Sequence, residues 1–234
     1  MTGHSFIDIY LTDVRPLADC FSQSLSLVPP ARLNKINRLK IPADKLRSLG
    51  AGLLLRHILS VKHDRDLIYN EFGQPGLALS RAFISLSHSG PWAALAVSQQ
   101  AVGLDLEVPK ERKYRLMAEK ILTSSELNRF ILSANPAEYF LAVWTLKESL
   151  LKATGRGLAD SSFKELKNLE ILGPGPLIYK NRLWYRGHRL FSNVQLAVSS
   201  LDLYPARFWI VTKPESQEPL VTLLPVAKIW DLEI

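Results

Sequence analysis

The chain reads as an α+β protein of two weakly similar halves, each a set of helices followed by an antiparallel sheet. Three observations lead to that class. Helical periodicity and strand-like alternation come in separate blocks, in the order helix, helix, strands, then helix, helix, strands. Two β-rich runs, Ala94-Leu95-Ala96-Val97-Ser98 and Gln195-Leu196-Ala197-Val198-Ser199, share one pattern and read as equivalent strands. Near Val108 to Arg112 a proline and a charged run separate the blocks, giving an N-terminal half of 1–108 and a C-terminal half of 109–234.

Taken in order, Phe6-Ile7-Asp8-Ile9-Tyr10-Leu11 alternates loosely and opens the chain with a strand. Val28-Pro29-Pro30 interrupts the chain before a basic helix over about Ala31–Leu39. Leu33, Ile36 and Leu39 form its inward stripe and leave Arg32, Lys35 and Arg38 outside. Pro42 and Asp44 start a longer helix through Leu59, with Leu46, Leu49, Leu53 and Ile58 on its buried side. Glu71-Phe72-Gly73-Gln74-Pro75-Gly76 is a turn by composition. Phe83–Ser87, Trp92–Ser98 and Val102–Leu106 are short strand-like runs, and an antiparallel meander is their simplest arrangement.

Lys110 to Arg115 is mostly charged and reads as exposed. Helices follow over Arg115–Leu122 and Ser124–Leu132, the second capped by Thr123 or Ser124 with Glu126 in its first turn. Pro136-Ala137-Glu138 opens a long helix that ends before Gly155 and Gly157. Strands return at Leu177–Tyr179, Arg182–Tyr185, Val194–Ser199 and Arg207–Val211, while 212–234 is punctuated by proline and carries no clear pattern. No short-period repeat is present.

Bulk properties narrow the function. At 234 residues, 47% hydrophobic and 22% charged, the chain has the composition of a folded soluble protein. The best apolar stretch, Leu49 to Val61, is broken by Arg56 and His57, so no membrane partner is expected. Met1-Thr2-Gly3-His4-Ser5 lacks the regions of a signal peptide, and the single Cys20 fits a reducing compartment. A cytoplasmic location is the expectation. The net charge of +7 calls for an anionic partner. Nine Lys and Arg lie from Arg32 to Arg65 against Asp44 and Asp64.

The residues that carry chemistry are acidic and few. Glu148 and Lys152 stand four apart, so a helix places both heads on one face, with Trp144 one turn earlier. Leu146, Leu150 and Ala153 fall on another face at core spacing. Alone this is an ordinary surface pair. Upstream, Gly103-Leu104-Asp105-Leu106-Glu107 places two carboxylates on one face of a strand, with Leu106 turned inward. Three carboxylates with a lysine can hold a hard cation and manage a proton beside it.

These motifs resemble the 4'-phosphopantetheinyl transferases of the Sfp type. The matching blocks are Phe72-Gly73-Gln74-Pro75, Ile84-Ser85-Leu86-Ser87-His88-Ser89-Gly90, Val102 to Glu107, and Trp144-Thr145-Leu146-Lys147-Glu148-Ser149 through Lys152 and Gly155-Arg156-Gly157-Leu158. Fainter similarity runs from Pro30 to about Ser199. The resemblance implies transfer of the phosphopantetheine arm of coenzyme A to a serine of an apo acyl or peptidyl carrier protein, with release of adenosine 3',5'-bisphosphate. It implies a pseudo-twofold monomer of two similar helix-plus-antiparallel-sheet halves with its site between them, and Mg2+ held by Asp105, Glu107 and Glu148 together with the coenzyme A pyrophosphate. By the same resemblance Glu148, directly or through water, is the base for the carrier serine, and Lys152 steadies the α-phosphate or the leaving group. Ser87 and His88 become coenzyme A phosphate contacts. Arg32 and Lys35 align with basic positions near the adenosine phosphates, and Arg47 and Ser48 with further contacts. Arg56 also matches a family arginine, and an internal structural role suits it equally.

One position departs from the family pattern. The family often has lysine before the proline of the turn, whereas this chain has Gln74, which can hydrogen-bond adenine or ribose but brings no charge to phosphate. Glu126 falls in the segment that meets the carrier in the family, and as a first-turn acid it equally serves the helix dipole. Lys110, Arg112, Lys113 and Arg115, with Leu116 and Met117, suit an acidic carrier helix. A nucleic-acid-binding protein would also explain the charge, but no helix-turn-helix, zinc-finger or aromatic RNA-reading motif is visible, so nucleic acid is not expected. A different Mg2+-dependent phosphotransferase would need a P-loop or kinase signature, and neither occurs.

Overall fold

The computed structural model describes residues 6–156, 165–173, 175–191, 193–216 and 218–224. Gly157 and Leu158 of the glycine motif lie outside the described residues. The opening alternation forms strand β1 (Ile7–Asp13), with Ile7, Ile9 and Leu11 buried on one face and Asp8 and Tyr10 on the other. After the short helix α1 (Phe21–Ser24) come α2 (Pro30–Arg38) and α3 (Pro42–Leu59). Each of the latter two carries proline in its first turn, where the absent N–H has no intrahelical partner to lose. Strands β2 (Leu67–Tyr69), β3 (Pro75–Leu77), β4 (Phe83–Ser89), β5 (Trp92–Ser98) and β6 (Val102–Glu107) follow. Then come α4 (Tyr114–Ile121), α5 (Ser124–Leu132) and α6 (Pro136–Ala153), and finally β7 (Leu177–Tyr179), β8 (Arg182–Phe191), β9 (Val194–Ser200), β10 (Ala206–Thr212) and β11 (Leu220–Leu223). The class is α+β. Among the described residues no helix is long and apolar enough to cross a membrane.

Contacts divide the chain into two units. The first comprises the chain up to Asn70, Pro75–Gln99 and the stretch that begins at Tyr204. Its mixed sheet has the order β11-β10-β1-β5-β4, with β10 parallel to β1 and the other pairs antiparallel. Helix α3 packs on this sheet, burying Leu49, Leu53 and Leu54 with Ala93, Leu95 and Val211. The returning strand β10 is keyed to β1 by polar contacts as well as by its ladder. Arg207 donates to Asp8 at 2.6 and 2.7 Å, Trp209 Nε1 donates to Asp8 at 2.8 Å, and Trp209 stacks on Tyr10.

The expected meander stops after two strands. β4 and β5 form a hairpin, but the free edge of β5 takes β1, and β6 joins β9 in a different sheet. Local turn chemistry fixes neighbours across a turn, whereas an edge is filled by whichever distant strand matches its face. The patternless tail likewise supplies β11, paired antiparallel to β10.

The second unit comprises Glu71–Gln74 and the residues from Gln100 to Leu203. Its antiparallel sheet runs β6-β9-β8-β7, and α6 lies on β6 and β9 while α4 and α5 pack against α6. Asn135 caps α6, accepting from Glu138 N at 3.3 Å, and Gly155 ends it with φ +76°. Helix and strand approach unusually closely at Gly103. A Cβ there would lie 1.8 Å from Ser149 O and 2.4 Å from Ala153 N, so glycine is the one residue this contact admits. Small side chains continue the seam: Ser149 Oγ lies 2.8 Å from Ser199 Oγ, and Ser199 stands opposite Gly103 in the ladder.

Two outcomes follow from this packing. Gly103→Ala forces α6 off its strand and is expected to cost about 3 kcal/mol or more. Gly76→Ala, whose Cβ would meet Ile68 at an ordinary 3.4 Å, should cost under about 1 kcal/mol. Urea unfolding measures both. In the first unit His57 Nε2 bonds Pro214 O at 2.7 Å, and burial lowers the His57 pKa. Its neutral form is therefore favoured on folding, and the stability it contributes is complete above the ordinary value of about 6.5 and declines as the pH falls below it. His57→Gln should flatten the acid branch of melting temperature against pH.

Candidate active site

The second unit gathers the chain's paired acids onto one helix–strand seam. β6 presents Asp105 and Glu107 on the face that α6 covers, as their period of two requires. α6 brings Glu148 and Lys152 to the same place from one helical face. Asp105 is 3% exposed and Glu148 8%, whereas Glu107 is half-buried at the strand end. Lys152 Nζ donates to Asp105 Oδ1 at 2.6 Å. Leu106, Leu146 and Leu150 turn into the core as the spacing predicts.

Burial pushes the Glu148 carboxyl well above the usual carboxylate range, and the charges of Asp105 and Glu107 push it further, against the pull of Lys152. The seam concentrates negative charge in a dry place and answers it with one ammonium group. A divalent cation fits such a site by the chemistry of its donors, since Mg2+ takes hard carboxylate oxygens, keeps waters and shares substrate phosphates. Among the described residues no three acidic, His or Cys side chains already converge as a complete metal cage. A bound cation would take part of its coordination shell from these carboxylates and the remainder from water or ligand.

Gln74 is tied within the unit. Its Nε2 donates to the carbonyl of Lys152 at 2.7 Å, tying the turn before β3 to the last turn of α6.

Two residues whose importance sequence reasoning missed hold α6 in position. Lys147 is fully buried and donates to Glu126 at 2.6 Å, Leu166 O at 2.8 Å and Ile121 O at 3.1 Å. Glu126 in turn accepts from Thr123 N and Ile171 N, at 3.0 and 2.9 Å. Glu126 thus closes a capping box on α5 and is enclosed within the unit, so it does not offer its carboxylate to a partner. The available signal was α6 itself: a helix apolar all round its middle can hold a lysine only with a buried counter-charge. By contrast Leu116 on α4 is 54% exposed beside Arg115, while Met117 packs towards the core.

The first unit assembles the basic candidates. Arg47 on α3 donates to Gly90 O at 3.0 Å and pairs with Asp44, which fixes it beside the turn that follows Ser87 and His88. Gly90 takes φ +54° to make that turn. His88 is exposed and Ser87 buried. Arg32 is half-buried and Lys35 exposed on α2, which packs against α3. Ser48 is enclosed in α3 at 2% exposure. Arg56 has an internal bond, donating to Leu27 O at 3.2 Å.

Comparison with known proteins gives a consistent picture. The family described as ACPS, the 4'-phosphopantetheinyl transferase superfamily, matches residues 101–200. The 4'-phosphopantetheinyl transferase Sfp of Bacillus subtilis is 27% identical over 143 residues, covering 58% of this chain and 63% of that protein. This alignment spans less than two thirds of that relative's own length. A second B. subtilis protein, 4'-phosphopantetheinyl transferase ffp, is 30% identical over 155 residues, covering 62% of this chain and 68% of its own. A holo-[acyl-carrier-protein] synthase of Shewanella piezotolerans is 41% identical over 61 residues, 26% of this chain and 47% of that one.

Replacing Lys147 by Met leaves Glu126 as a buried charge and is expected to cost about 3–5 kcal/mol in urea unfolding. The double variant Lys147→Met/Glu126→Gln should recover part of that loss, because the stranded charge is gone.

Proposed function

This chain belongs to the 4'-phosphopantetheinyl transferase superfamily, and we propose that it moves the phosphopantetheine arm of coenzyme A onto a serine of an apo carrier protein. The observation that carries the proposal is the buried seam where Asp105 and Glu148 meet Lys152. Phosphoryl transfer from a diphosphate needs neutralisation of charge, an acceptor for the hydroxyl proton and a cation at the departing oxygen. Glu148 suits the second requirement and Lys152 the third, and the first would fall to a cation that the carboxylates hold.

Asp105, Glu107 and Glu148 would hold Mg2+, which when bound neutralises the diphosphate and the mutual repulsion of these carboxylates. Glu148, released from that repulsion, takes the proton from the carrier serine Oγ, directly or through water. The serine oxygen forms its bond to the phosphorus bearing the pantetheine, and the bond from that phosphorus to the bridging oxygen breaks. The bridging oxygen leaves on adenosine 3',5'-bisphosphate. Lys152, which donates to Asp105, is proposed to steady the charge that builds on the leaving group, a role that its ammonium group suits. Glu148 and Lys152 are thus the catalytic residues of the proposal.

In the first unit Arg32, Lys35, Arg47, Ser48, Ser87 and His88 are proposed to serve the nucleotide end of coenzyme A. The bond from Arg47 to the Gly90 turn supports this for Arg47 and His88, since an Arg fork and an exposed imidazole suit phosphate. The enclosure of Ser48 makes it a support for Arg47 more readily than a ligand contact. The exposed Leu116 and neighbouring Arg115 support an acidic carrier helix as the protein partner. A Mg2+-dependent monomer acting in the cytoplasm accords with this reading.

Intact mass of an apo acyl carrier protein after incubation with this chain, coenzyme A and Mg2+ tests the proposal. One added phosphopantetheine is expected, abolished by EDTA and slowed about 10²–10⁴-fold by Glu148→Gln. Lys152→Ala should slow the reaction about 10²–10³-fold. Fatty-acid, polyketide and peptide-type carriers that all remain unmodified would contradict the assignment.

A further inference from the structure

The acidic face of β6 continues into polar side chains that the mechanism above leaves unused. Gln195 of β9 stands directly opposite Glu107 in the ladder. Opposed residues of an antiparallel pair send their side chains to the same face, with Cβ atoms about 5 Å apart. Ala197 stands opposite both Asp105 on β6 and His188 on β8. His188 and Gln195 therefore share the face of Asp105 and Glu107, and the small Ala197 leaves space among them.

Gln195 is fully buried. Its Oε1 is bonded to His188 Nε2, while its Nε2 is enclosed with no hydrogen-bond partner among the described residues. With the imidazole Nε2–H as donor, the amide oxygen faces His188 and the NH2 group turns away from it. An unmade buried N–H is costly, and a leucine would fill the same volume without that penalty. Of the two residues opposite Gln195 in the ladder, Glu107 and Leu190, Glu107 is the one with a side-chain acceptor.

We propose that Gln195, oriented by His188, donates its amide N–H to Glu107 when the site takes up the divalent cation and the diphosphate, and so sets that carboxylate for them. This rests on the transferase reading above. Gln195 is a positioning residue, and His188 acts on Glu107 only through it. Partners one bond removed from a metal ligand commonly tune metal affinity in this way.

The test is the affinity for Mn2+, read from the electron paramagnetic resonance signal of the free ion, with and without coenzyme A. Gln195→Leu is expected to bind Mn2+ about tenfold or more weakly than the wild type, with an unfolding midpoint no lower. His188→Leu should move the affinity the same way, and His188→Gln, which keeps a donor, should restore most of it. The side-chain amide resonance of Gln195 in the wild-type chain labelled with 15N-glutamine gives a reading that needs no variant: it should shift when Mg2+ is added. Wild-type Mn2+ affinity in folded Gln195→Leu overturns the proposal, as does an unmoved amide in a chain that binds Mg2+. A wild type that binds no Mn2+ and modifies no carrier overturns the transferase reading itself, and this proposal with it.

Discussion

The contact between Gly103 and the backbone of α6 is the constraint on which the site depends. With any larger residue at that position, Ser149 O and Ala153 N would be pushed outward, and with them the helical face that carries Glu148 and Lys152. Asp105 lies two residues along the strand from Gly103, on the same face. The 2.6 Å bond from Lys152 to Asp105 is thus set by backbone packing as much as by charge. A short loss of contact at the seam would separate groups whose usefulness depends on being within hydrogen-bond reach.

The other side of α6 is fixed by charge. Lys147 gathers Glu126 and the carbonyls of Ile121 and Leu166 at one buried point, so helix rotation would strand a charge in the core. Adjacent residues of α6 therefore have opposite settings: Lys147 is paired and locked, while burial, and then the charges of Asp105 and Glu107, lift the Glu148 pKa. Gln74 adds a third tie at the end of the helix through the Lys152 carbonyl.

Much of this was legible in the residues. Pro42 to Leu59, Ser124 to Leu132 and the long helix opened by Pro136 follow from caps, prolines and apolar period. The shared face of Asp105 and Glu107 follows from a period of two, and the common helical face of Glu148 and Lys152 from their spacing. What escaped is non-local. β6 leaves β5 for β9, and β1 takes β10 across most of the chain, because strand partners are chosen by faces that sequence proximity does not reveal. Glu126 escaped for a related reason: its cap role is local and visible, but its bond to Lys147 spans 21 positions.

The rate of carrier modification by Gly103→Ala, measured at a temperature where circular dichroism shows the variant fully folded, tests this account most directly. Displacing α6 from β6 should lower the rate about a hundredfold or more while the fold persists. A folded Gly103→Ala variant that modifies the carrier at the wild-type rate would contradict the claim that this backbone contact builds the site.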